Sequence, residues 1–229
     1  MSNNLPEKPQ TNIWEHLLNI FKAAAATAPY CGGIASLMTD YIPSAKFKRL
    51  EAFTKQLTED IKHLENKLDT KYIKTDEFAF VFERCFRGAA ENYQKEKLDA
   101  FRGILLNSAI RKDASEDEKE YFINLVNSLS ALHIRILKFI CNPLEYISEN
   151  NIHREKIQGG FSDFMPIAIP GVELEVIKSA FQDLYQYGLI NTDKSIFNTM
   201  TSSQGLHLLG NRGATFGNKF IEFCTVPRN

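Results

Sequence analysis

Apolar residues recur every three or four positions along most of the chain, which predicts a mainly helical protein. Ile13, Leu17, Ile20 and Phe21 predict a first helix over 13–26, after a polar tail at residues 1–12. The longest stripe is Phe47, Leu50, Phe53, Leu57, Ile61, Leu64 and Leu68, with Pro43 marking the helix boundary and Ser44 placed to cap it. Its spacing averages close to the repeat of a supercoil, so it reads either as the core face of a bundle helix or as the seam of a coiled-coil dimer. Thr75 is a second expected cap, with Asp76 and Glu77 in the first turn. The helix that follows shows Phe78, Val81, Phe82, Cys85, Phe86 and Ala89 and continues through Leu98, Phe101 and Leu105 to Ala109. Ser115 and Glu118 form the pattern of a capping box before Phe122, Leu125 and Val126.

From Ser130 the punctuation changes. Short helices are predicted over 131–141 and 144–158, with a loop from Phe161 to Pro170. A third helix follows over 173–187, with Leu174, Ile177, Phe181 and Leu184 on one face and Gly188 where a C-cap needs positive φ. Two strands are expected at Ile196–Thr201 and Leu206–Leu209, paired as a small β-hairpin through Ser202–Gly205, and then a closing helix over Thr215–Phe223. The expected organisation is a tail at 1–12, a helical N-terminal domain at 13–130 and a C-terminal domain at 131–229.

That order of helices, hairpin and closing helix resembles the winged helix-turn-helix family, and the phrases LYQYGLI at 184–190 and TFGNKFIEF at 215–223 carry the resemblance. In such a domain a Thr starts the last helix and a Gly lets it pack closely. The whole chain also resembles uncharacterised bacterial proteins, through GGI at 32–34, YIPSAKFKRLEAF at 41–53 and FRGILLNSAI at 101–110. The stretch YFINLVNSLSALHIRILKF at 121–139 belongs to the same resemblance. It implies a bacterial source, extends to a loose association with phage-defence contexts, and supplies no activity.

Charge narrows the functions that this architecture allows. The chain has 27 basic and 28 acidic residues, and neither half is basic. The third helix of the winged-helix-like part carries Glu173, Glu175 and Asp183 against Lys178. Placed in a major groove, those carboxylates would repel phosphate, and Lys194, Arg212 and Lys219 are a thin basic set for the wing. DNA binding is therefore disfavoured. Between Ala23 and Thr39 no residue is charged, and Ala23, Tyr30, Ile34, Leu37 and Met38 could meet a membrane or a partner. The run is rich in Ala, Gly and Thr rather than Leu and Ile, so a close helix–helix contact accounts for it better than a membrane span.

Site chemistry is sparse. Cys31, Cys85, Cys141 and Cys224 form no C-x-x-C pair, and His16, His63, His133, His153 and His207 show no metal-ligand spacing. Gly210, Gly213 and Gly217 do not make a P-loop. No cofactor, metal or catalytic residue is expected. No cleavable signal is visible in residues 1–12, so free thiols and a cytoplasmic setting are expected. The expectation is a non-enzymatic adaptor or regulator that works through protein contacts, either with a partner or by helical self-association along the Phe47–Leu68 stripe. Its rivals are a membrane-acting protein using segment 23–39 and a DNA-binding regulator.

Overall fold

The computed structural model describes residues 42–111, 113–199, 205–209 and 212–227, without the side chains of 42–44, 47 and 65. Within them are nine α-helices: α1 Ile42–Leu64, α2 Asp76–Glu91, α3 Lys95–Ile110, α4 Glu116–Ser128, α5 Ala131–Cys141, α6 Pro143–Glu149, α7 Phe161–Ala168, α8 Leu174–Gln186 and α9 Thr215–Cys224. The expected helix over 13–26 and the uncharged run at 23–39, with Tyr30, Ile34, Leu37 and Met38, lie outside the described residues.

The capping signals at Thr75 and Ser115 act as their chemistry requires, whereas Ser44, expected as a cap, lies within α1, which already includes Ile42. The Thr75 hydroxyl accepts from the Phe78 amide at 3.3 Å. Ser115 accepts from Glu118 N while Glu118 accepts from Ser115 N at 3.0 Å, so two orphan donors of α4 are satisfied reciprocally. The long helix expected from 75 to 109 is instead a hairpin of α2 and α3. Asn92 breaks it by donating its side-chain amide to the Gly88 carbonyl at 2.8 Å, which closes the end of α2. Phe101 on the returning helix lies with its ring over Gly88, where no Cβ stands in the way.

Helix α3 is the axis of the molecule. It packs against α1, α2, α4, α5 and α9. Its burial extends around the helix rather than along one stripe, taking in Phe101, Ile104 and Leu105 together with Lys97, Asn107 and Ser108. The stripe on α1 turns inward onto this framework. Phe53, Leu57, Ile61 and Leu64 are buried, and Leu50 and Leu68 pack at the edge. Phe53 meets Phe86 edge to face at 5.2 Å, and the Arg49 guanidinium donates to the Ala90 carbonyl at the end of α2. Phe53, Leu57, Ile61 and Leu64 therefore serve the bundle.

The C-terminal half departs most from expectation. The loop expected at 161–170 contains α7, which begins with the Asp163 carboxylate accepting from Gly160 N at 2.8 Å and buries Phe161, Phe164, Met165 and Ala168 despite Pro166. The helix expected over 144–158 ends at Glu149, where Asn151 takes a left-handed conformation at φ 53°.

The two expected strands are not strands among the described residues. Lys194–Asn198 and Gly205–Leu209 form 3₁₀ turns, and the only extended pairing there is an isolated antiparallel bridge between Ile190 and Gly213. The physical reason is in the core. Neighbouring Ile196 and Phe197 both face inward, Phe197 against Phe161 and Phe181, whereas a strand would send them to opposite faces. Asp193 starts the first turn by accepting from Ser195 N at 2.8 Å.

Gly188 does adopt positive φ, at 68°, after α8. The closing helix α9 packs on α3 and α5, and its rings reach α4: Phe122 lies 5.2–5.8 Å from Phe216, Phe220 and Phe223. One hydrophobic core thus runs across the position 130 at which a domain boundary was expected.

Candidate functional site

Helix α8 covers the residues expected as a third helix, but α7 precedes it, so it is the fourth after residue 130, and that order does not support a winged helix. Ile177, Ala180, Phe181 and Leu184 bury one face against α5 and α7, which fixes its orientation. The remaining surface faces solvent. Glu173, Glu175, Ser179, Asp183 and Gln186 are exposed there, and with them stand Val176, Tyr185 and Tyr187 at 48%, 42% and 44% exposure. Tyrosines that are half covered offer an apolar ring with a polar tip, the combination favoured at protein interfaces.

The charges of this face are only partly spent. Lys178 pairs with Glu175 at 2.7 Å. Asp183 contacts His133 Nε2 at 3.2 Å. His133 also accepts at Nδ1 from Ser130 N at 3.1 Å, so its ring carries the proton on Nε2 and donates it to Asp183. The surface keeps an acidic bias, with no Lys or Arg among the described residues paired to Glu173 or Asp183.

Two of the three basic residues expected on the wing serve the fold. Lys219 pairs with Glu118 at 2.5 Å, tying α9 to the start of α4. Hydrogen bonding to Lys219, first among the causes, holds the Glu118 carboxyl below the usual range. Arg212 donates to the Leu208 carbonyl at 3.0 Å. Lys194 is exposed beside Asp193.

Polar residues with no sequence signal hold the interior together. Lys97 is 7% exposed, and its ammonium donates to the Asn127 carbonyl at 3.0 Å in the last turn of α4. Burial pushes its pKa below the lysine range, and the negative end of that helix favours the charge that remains. Burial also opposes the charge on Lys119, but the hydrogen bonds it donates to Glu116 and Tyr72 outweigh it and raise the pKa. Asn107 donates to the carbonyls of both Phe223 and Thr225 at 2.9 Å, closing the end of α9. Along the sequence these lysines look like any solvated helix face. Val176, Tyr185 and Tyr187 were equally unmarked, the only clue being that they lie off the Ile177–Phe181–Leu184 stripe.

Catalytic chemistry finds little to build on among the described residues. Cys85 and Cys224 are buried, which pushes their thiols up, and burial of Cys141 raises its pKa to about 12. Thiols so held are poor nucleophiles. Among the described residues, no group of three His, Cys, Asp or Glu side chains is placed to hold a metal. No single described helix is long and apolar enough to cross a membrane. No family model, curated protein or solved structure matches the chain.

Proposed function

We propose that the protein is a non-enzymatic adaptor or regulator that uses the outer face of α8 to contact a protein partner. The observation that carries this reading is the exposure of Val176, Tyr185 and Tyr187 among Glu173, Glu175 and Asp183 on a helix whose other face is locked in the core. Apolar rings would supply the contact area, and the carboxylates would select a partner with basic side chains and steer its approach. The DNA-binding alternative is weaker because Lys219 and Arg212 are engaged within the chain, leaving few cations for phosphates. Self-association along α1 has less support, since Phe53, Leu57, Ile61 and Leu64 of that stripe are buried within the chain.

Photo-crosslinking in cells of the source organism tests the reading. A benzophenone amino acid replaces Val176 or Tyr185 in the full-length protein, with Glu120, exposed on α4, as the control position. Discrete adducts are expected at 176 and 185, absent at 120, and weakened when Glu173→Lys and Glu175→Lys are combined. Adducts that are the same at all three positions, or missing at both α8 positions, exclude this face as the contact.

A further inference from the structure

A cleft of about 320 Å³ opens between the junction of α5 with α6, the 3₁₀ turn at Gly205–Leu209 and the start of α9. Its size is at the small end of ligand sites, which span about 300–1,000 Å³. Ile140, Leu144, Leu206 and Leu209 supply apolar walls, and Leu144 is 57% exposed with nothing covering it among the described residues. The polar groups at its edge include Arg154 and His207. Among the described residues no Asp or Glu lines it, and Glu145 and Glu149 of α6 line a separate depression.

Arg154 is the exception among the arginines of the described residues. The other seven each have a hydrogen-bond or ion-pair partner. Exposure does not account for the difference, because Arg87 is 60% exposed and still holds Glu83 at 2.5 Å. Arg154 has no such contact among the described residues, and it stands beside an apolar cleft to which they bring no negative charge. A guanidinium offers a planar fork of donors that fits a carboxylate in two parallel hydrogen bonds.

We propose that this cleft binds a small amphipathic anion, a carboxylate carried on an apolar body. The carboxylate pairs with Arg154, with His207 as a second polar contact, while the body covers Leu144 and lies against Ile140, Leu206 and Leu209. The site is separate from the α8 face, and its failure would leave the protein-contact reading untouched.

Calorimetric titration of the full-length protein tests it with octanoate, its uncharged match octanamide, and inorganic phosphate. Octanoate is expected to bind saturably, with octanamide and phosphate each at least about tenfold weaker. Arg154→Gln is expected to bring octanoate down to the level of octanamide, and Leu144→Glu to weaken octanoate by at least about tenfold. Both side chains are exposed, so the melting temperature should stay near that of the unaltered protein. No saturable octanoate binding, equal binding of octanamide, equal binding of phosphate, or an Arg154→Gln variant that binds octanoate normally overturns the proposal.

Discussion

Gly217 stands on α9 where the Leu189 carbonyl comes closest; a Cβ built there would lie 1.9 Å from that oxygen. The obstacle is backbone, so no rotamer change can relieve it. Gly217→Ala should therefore destabilise the protein by about 3 kcal/mol, measured by chemical denaturation, at the upper end of what overpacking usually costs. The thiols give a second residue-scale prediction. In the native state Cys85, Cys141 and Cys224 should resist alkylation at pH 8 and react on unfolding, as mapped by mass spectrometry. Cys141 is the partly buried one of the three, and rapid native labelling there would mean that partial burial does not push its thiol up to about 12. The Gly in TFGNKFIEF was legible as a close-packing residue, but its target was not, because Leu189 reaches it only through the turn after α8.

At the scale of elements, the side-chain caps at Thr75 and Ser115 were readable because each acts within four residues of its own position. Helix α7 was hidden by Pro166 and Pro170, which are loop signals, although its Phe161, Phe164, Met165 and Ala168 have helical spacing. Pro166 costs one backbone hydrogen bond, and the burial of two Phe side chains outweighs it. The 3₁₀ turns were hidden for a related reason: short apolar runs such as Leu206–Leu209 satisfy a strand pattern and a tight turn equally well. Helix α1 shows the same kind of ambiguity resolved by packing. Leu57→Ala should cost about 3 kcal/mol in stability, as expected for a buried Leu, and leave the molar mass by light scattering unchanged. A fall in mass with little loss of stability would mean instead that the stripe is a seam between copies.

Over the whole molecule, α9 connects the last part of the chain to the first. It packs on α3, places three phenylalanines around Phe122, and is closed at its end by Asn107. Glu222 and Lys219 add surface pairs to Arg111 and Glu118. A fragment of residues 131–229 would expose Phe220 and Phe223, and it is expected to show no cooperative thermal transition. A sharp transition in that fragment would establish the boundary at 130 as a true domain limit. The acidic character of α8 was legible from composition alone, because Glu173, Glu175 and Asp183 are close in sequence. The cleft was not legible, because Leu144, Arg154 and Leu206 are brought together only by the fold.

The sequence by itself determined the helical class, most helix positions, several caps and the acid bias of α8, since each depends on neighbours within a turn or two. Tertiary structure decided which stripe is buried, that Lys219 is paired, that Arg154 is not, and that the expected hairpin gives way to 3₁₀ turns. Those outcomes depend on contacts between residues up to a hundred positions apart, where competition for one core selects among local structures that the chain alone leaves equal.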